Sequence, residues 1–492
     1  MRSLYITALC TIALLTLCAS KVNAQGQQGS GSPYSAYGFG DLFNNTQITQ
    51  SLMGVSGIGA SDLFSVASVN PASYVGIARP VFEAGGVGRF ITYELDGVTG
   101  KGQRTDLLGL SIGVPFAKNK WGFALGVAPF SNVGYQINNY DTLIATGGRV
   151  RYEYSGSGGL NKAFLGLSRV LWQTNDSMER GKKLSFGANI NYLFGTVEEA
   201  RKAYYPTNGN FYNSQVTSSL VVRAPTVNLG FQFTGDLVQK ERVAVSFAER
   251  RLELLAKDER LQQKWINEGK DPDKYKHITI DNRQAEALRY RIGIASELPA
   301  NLTAKHSGLG SSFVTGTGGD FTVDTTFFTQ GTRGTIGIPA SYSAGFSIYN
   351  NRWKGVVEYR LRDWSTMDVD VDGYTSQGAL GTQSIYAVGG SLHPTLNPNA
   401  SFWLRNTYRL GLRYTDDYLI VDGTQLREMA ATGGVSIPLG KFSWSRVNIG
   451  VEYGQRNDAA NALLQERFTT IQVGISIIPE AWDQWFKKRR ID

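Results

Sequence analysis

The side chains able to do chemistry are few and scattered. The three histidines, His277, His306 and His393, lie far apart and show no metal-ligand spacing. Serine-hydrolase triads are recognised by geometry rather than by order, yet no nucleophile motif accompanies these histidines. A barrel phospholipase needs a Ser and a His on its outer face, and only His393 falls near such a position. No glycine-rich phosphate loop, zinc spacing or nucleic-acid module occurs. The chain therefore reads as a non-enzyme without cofactor, metal or nucleic-acid partner.

What remains is a set of arginines at alternate positions: Arg289 and Arg291, then Arg360 and Arg362 with Lys354, then Arg405, Arg409 and Arg413. Confined arginines need carboxylates or water. One reading is a basic wall that attracts an anionic headgroup such as a fatty-acid carboxylate. The other is that they pair with Glu358 and with acids such as Asp41 or Asp62 and hold an internal plug.

The elements that place them are strands. Leu184, Phe186, Ala188, Ile190, Tyr192 and Phe194 alternate with Ser185, Gly187, Asn189 and Asn191. Ile471, Val473, Ile475 and Ile477 alternate with Thr470, Gln472, Gly474 and Ser476. Period two over about ten residues fits a tilted membrane strand. A soluble sandwich shares that period, but the chain has 57 Gly, 24 Tyr, 24 Phe and 9 Trp, with aromatic strand ends. A mean hydropathy of −0.20 suits a barrel whose lumen is polar. Fourteen such segments fall between 80 and 478, roughly 80–96, 103–115, 120–137, 147–172, 182–200, 216–234, 287–306, 335–349, 352–367, 382–394, 400–415, 423–438, 442–455 and 464–478. The even number puts both termini in the periplasm.

The N-terminus agrees with that compartment. Arg2, an apolar run from Leu4 to Leu17 and Val22-Asn23-Ala24 form a signal peptide over 1–24. Leu17 is too bulky before Cys18 for lipoprotein processing. Both cysteines, Cys10 and Cys18, leave with it, so the mature chain has no disulfide. Loss of Arg2 and Lys21 lowers the net charge from +8 to +6.

Residues 25–79 precede the barrel, which occupies 80–479. Within 240–289, 22 of 50 residues are charged, too many to cross a bilayer. Phe247, Leu254, Leu261 and Trp265 share one helical stripe. We read an inserted charged helical element over 240–286, on the periplasmic side, able to dock a periplasmic or membrane protein partner or to lie solvated on the rim. A strand over Val243–Phe247 would instead give sixteen strands. The tail, 480–492, holds Trp482, Trp485 and Phe486 before Lys487 to Arg490, an anchor at the lipid interface. Asp141-Thr142-Leu143 and Asp324-Thr325-Thr326 fall in outer loops and resemble O-glycosylation tripeptides.

Three stretches carry a family resemblance. Ser65 to Tyr74 is a small-residue run containing Asn70-Pro71-Ala72. Ser32 to Phe43 opens the mature domain. Ile338-Pro339 leads through Gly345-Phe346 and Trp353 to Asp363-Trp364-Ser365. Together they resemble the FadL-type outer-membrane hydrophobic-compound (long-chain fatty acid) transport family, in a poorly characterised branch. The resemblance implies a monomeric all-β transmembrane antiparallel barrel of about fourteen strands with an N-terminal hatch, surrounded by outer-membrane lipid. It implies passive uptake of a hydrophobic or fatty-acid-like ligand, or else a non-transporting subunit of an outer-membrane protein secretion or assembly complex. Pro129 lies inside the third strand, where it donates nothing to a ladder. Pro129, Phe130, Ser131 and Asn132 are thus expected to form a bulge, and the resemblance makes that bulge a lateral gate.

Overall fold

In the computed structural model, the described residues are 31–44, 47–117, 120–142, 148–174, 181–206, 211–237, 256–269, 271–272, 275, 288–374, 378–441, 443–457 and 463–479. Residues 1–30, with the expected signal peptide, most of the insert with Phe247 and Leu254, and the tail over 480–492 lie outside them. Among the described residues, fourteen antiparallel strands close into one barrel. They are β1 (Val81–Leu95), β2 (Val98–Phe116), β3 (Trp121–Thr142), β4 (Arg149–Gln173), β5 (Lys183–Tyr204) and β6 (Asn213–Asp236). Then come β7 (Arg289–Glu297, continued by Ala300–Gly316), β8 (Gly319–Ile338, continued by Ser341–Tyr349) and β9 (Trp353–Asp363, continued by Asp368–Asp370). The ring is completed by β10 (Ala379–Leu380 and Thr382–Leu392), β11 (Thr407–Val421), β12 (Thr424–Pro438), β13 (Arg446–Arg456) and β14 (Gln465–Ile477), which pairs back onto β1 from Phe82↔Ile477 to Glu94↔Gln465. None of the described helices is long and apolar enough to cross a membrane.

The direction of the side chains separates a membrane barrel from a sandwich. Leu165, Ile190, Ile294 and Leu410 point outward, up to 71% exposed, while Ser185, Asn189, Gln232, Thr432 and Gln472 are buried inside. Registers align the outer residues into continuous rows, such as Ile292↔Phe346↔Val357↔Val388↔Leu412. An apolar exterior around a polar interior is the pattern that lipid requires.

Two breaks have one cause. Pro299 and Pro339 lack the N–H that a ladder needs, and they stand at the same level, between Ala300↔Ile338 and Glu297↔Ser341. Both β7 and β8 are interrupted there and then resume. Asp363 likewise interrupts β9 by accepting from the Ser365 amide (3.2 Å), which turns the fully buried Trp364 into the lumen against Phe39 and Tyr418.

Strands β3 to β6 run 22 to 25 residues, well beyond the span of a bilayer, so they project at the end of the barrel farther from Val81. Residues expected as an outer loop before 335 are part of this projection. Asp324-Thr325-Thr326 therefore lies on β8 and not in a loop. Arg405 is also displaced: it ends the short turn Trp403–Arg405, and β11 begins only at Thr407. The ends of the barrel strands, Val81 and Ile477, share the near end. Gly31 does not: its carbonyl accepts from the hydroxyl of Tyr93, at the far end of β1. The hatch thus runs the length of the lumen before β1 begins.

Candidate functional site

Four short elements build the hatch. These are the turn Pro33–Ala36, a two-residue strand Asp41–Leu42, the single helical turn Ile48–Ser51 and the turn Pro71–Gly76. Asn70 precedes the last as its cap. Its side-chain oxygen accepts from the Ala72 amide (3.2 Å), and Pro71 fills the first helical position, where a missing N–H costs nothing. The amide nitrogen of Asn70 donates to the Ile58 carbonyl (2.8 Å) and reaches the Phe231 carbonyl in the wall (3.3 Å). The Asn70-Pro71-Ala72 motif is thus a buried cap that ties the hatch to β6.

Wall side chains hold the hatch backbone directly. Glu358 accepts from the amides of Ser56 (2.7 Å), Ile58 (2.7 Å) and Gly59 (3.1 Å). Glu83 accepts from the Val66 amide (2.8 Å) and the Ser65 hydroxyl (3.0 Å). Asn189 and Asn228 donate to the carbonyls of Ser68 and Val69 (2.9 Å each). Charge-assisted bonds to backbone amides are among the stronger ones available to a buried segment.

The predicted basic residues are brought together only in part. Lys354 and Arg409 lie 3.7 and 3.8 Å from Asp62 in the hatch. Burial opposes the charge of Asp62, but Lys354, Arg409 and Arg446 outweigh it and hold its carboxyl below the ordinary carboxylate range. The stabilisation it supplies is present above that range and is lost as the pH falls into and through it. Arg291 donates to the Ser61 carbonyl (2.8 Å), and Arg360 to the Asn44 carbonyl (3.3 Å). Arg362 pairs with Glu297, and Arg289 pairs with Asp236 (2.7 Å) at the near end, away from the hatch. Arg413 bridges Glu428 and Glu452 (2.8 Å each). The expected partner Glu358 binds amides instead of arginines, and Asp41 pairs with Arg456 and Arg104 (3.0 Å each), which were not anticipated. Arg456 also meets Glu428, Glu466 and Asp417 at 3.4 to 3.7 Å. The available signal was inward charge of both signs on β12 to β14, visible once strand phase is known.

Pro129 sits at a bulge. Pro129 pairs with Asn161 and Ser131 with Leu160, so Phe130 is left over in the β3–β4 ladder. The Phe130 carbonyl accepts from the Phe43 amide of the hatch (3.0 Å), and Asp41–Leu42 pairs with Asn132 and Ser131. On the other side of β3, pairing with β2 runs from Phe116↔Trp121 only to Leu110↔Val127. Beyond it, among the described residues, the wall has a seam. Side chains latch it: Asn132 donates to Asp106 (2.7 Å), and Arg104 joins Asp106 (2.7 Å) to Asp41. Two cavities of about 80 Å³ flank the hatch strand, lined by Arg104, Asp106 and Arg456 on one side and Lys162, Glu297 and Arg362 on the other.

Of the insert, residues 256–267 are helical. Trp265 is half-buried there, its indole N–H donating to the Asp271 carbonyl (3.0 Å) and its ring meeting Tyr275 edge-on. Leu261 and Ile266 are exposed. Among the described residues, no group of three His, Cys, Asp or Glu side chains is placed to hold a metal ion.

Solved structures similar to the chain include the CymD monoaromatic hydrocarbon channel (12% identity, TM-score 0.47, covering 90% of this chain and 99% of that one). The Pseudomonas putida toluene transporter TodX is 14% identical (TM-score 0.47, 89% and 98% covered). A Pseudomonas aeruginosa FadL homologue is 12% identical (TM-score 0.47, 89% and 99% covered). Comparison with curated proteins gives no match. The BamG family profile matches residues 9–288 and 276–492, two stretches that meet inside the charged insert and together span the barrel, and the chain belongs to the BamG family.

Proposed function

We propose that this chain is a hatch-filled outer-membrane barrel that serves as a non-transporting subunit of an outer-membrane protein secretion or assembly complex. The fixed hatch supports this reading. Its backbone is held at three levels by Asp41, Glu358 and Asp62 with their partners. Pockets for apolar ligands are mostly apolar and run to several hundred Å³. The cavities beside the seam are charged and about 80 Å³ each. The helix over 256–267, with Leu261 and Ile266 in solvent, is the docking element in this reading, and the near end faces the periplasm. The test is purification from native membranes in mild detergent, with and without residues 240–286. The intact chain should co-purify with a stoichiometric outer-membrane assembly component, the shortened chain should not, and depletion should lower other outer-membrane barrels. A single-chain particle together with an unchanged outer-membrane proteome after depletion overturns it.

The seam favours a second reading, passive uptake of a hydrophobic small molecule with lateral exit between β2 and β3. A disulfide between Asp106→Cys and Asn132→Cys should then lower uptake of a labelled hydrophobic compound, with recovery on reduction. Full uptake through a verified bridge rules out the lateral route.

A further inference from the structure

The largest cavity described, about 1040 Å³, lies at the far end, where the first turn of the hatch meets the projecting strands. Tyr34 and Tyr37 of the hatch form one wall. Tyr135, Tyr374 and Phe327 stand on other sides, among aliphatic residues such as Leu95 and Val216, with Arg201 and Asp422 also on the wall. Glu199 of β5 faces it with a side chain only 15% exposed. Among the described residues Glu199 forms an ion pair with Arg201, at 3.7 Å, and Arg201 is itself 55% exposed. A loose pair of this kind contributes little and leaves the carboxylate oxygens available.

His306 of β7 borders the same space. It is 6% exposed and lines the same cavity. Its Nε2 lies 3.0 Å from the Ser218 hydroxyl, while its Nδ1 has no hydrogen-bond partner. Nδ1 packs against Gly373 and has no surface open to the cavity, so His306 fixes the wall here and is not a ligand contact.

The geometry points to a binding site for an organic cation, an ammonium or guanidinium group carrying an apolar or aromatic body. The cation would pair with Glu199 and lie over the faces of Tyr135 and Tyr374. Aromatic faces and a partly desolvated carboxylate both attract positive charge, and a neutral hydrocarbon would leave the carboxylate unmatched. Arg201 competes for Glu199, so its removal should favour the ligand. The site stands apart from the insert, and it holds under either reading of the function.

The test uses the full chain in detergent and three probes with one ring: benzylammonium, benzyl alcohol and phenylacetate. Titration calorimetry should show benzylammonium binding at least about tenfold more tightly than the other two. Glu199→Gln should weaken it by about tenfold, Tyr374→Leu should weaken it less, and Arg201→Gln should tighten it a few-fold. Each variant must keep the heat-dependent gel shift of a folded barrel. Binding of phenylacetate or benzyl alcohol at least as tight as that of benzylammonium overturns the assignment. So does benzylammonium affinity that ignores both Glu199→Gln and Arg201→Gln.

Discussion

Gly411→Leu should drive the hatch out of its seat while leaving the strands paired. A Cβ at Gly411 would stand 1.9 Å from the Met53 carbonyl oxygen, where backbone meets backbone and neither side chain nor rotamer can yield. Gly389 closes the same seat from β10, with a Cβ 2.1 Å from that oxygen. Overpacking in a tight interior costs about 1–3 kcal/mol, and a clash with backbone belongs at the top of that range. The hatch is held by hydrogen bonds that contribute about 1 kcal/mol each, so the strain will be relieved by releasing residues near Met53. Limited proteolysis should then cut within 44–62 in the variant and not in the parent, and cells should become sensitive to bulky antibiotics. Gly355→Leu is the control, because a Cβ there meets nothing within 4 Å. Resistance of the Gly411→Leu hatch to protease would refute the fixed-seat description.

Arg456→Met should lower stability more than any single change at the lipid-facing surface. The guanidinium is buried among Asp41, Glu428, Glu466 and Asp417. Removing one partner of a buried ionic group costs about 3–5 kcal/mol, because the remaining charges lose their compensation. The expected result is a fall in the temperature at which the folded barrel band disappears on a gel. Asp41→Asn in the same chain should restore part of that loss by removing one stranded carboxylate, at the expense of the hatch contact. Equal melting of parent and Arg456→Met would mean that the network carries no net stability.

The strand pattern was legible because lipid enforces it. Every wall residue faces either hydrocarbon or a polar lumen, so period two survives in the sequence from Leu184 to Phe194 and from Ile471 to Ile477. Boundaries failed where no membrane acts. The projecting halves of β7 and β8 carry Thr, Gly and Asp and read as loop, although they pair as strands. The proline signal was legible at Pro129, which removes a donor whatever surrounds it, but Pro299 and Pro339 were read straight through as strand although they remove donors too. The partners of the arginines were not legible. Strand phase tells which side a charge faces, but not which of several inward carboxylates lies opposite across the lumen. Asp41 could be placed in a plug from sequence, but only the path of the hatch brings it to Arg456, at the end of β13. Glu358 looked like an arginine partner because nothing in a one-dimensional pattern signals a row of free hatch amides.

The lengthwise path of the hatch constrains how the molecule can be made. Gly31 lies by the far end of β1 and Val81 begins the near end, with the intervening chain running inside the wall. A chain cannot be drawn through a finished cylinder of this bore past Gly293, Gly389 and Gly411 without disrupting those contacts. Closure of β14 onto β1 must therefore come after the hatch has collapsed onto the inner faces of the other strands. Whatever catalyses insertion of this protein has to hold its first and last strands apart until that happens.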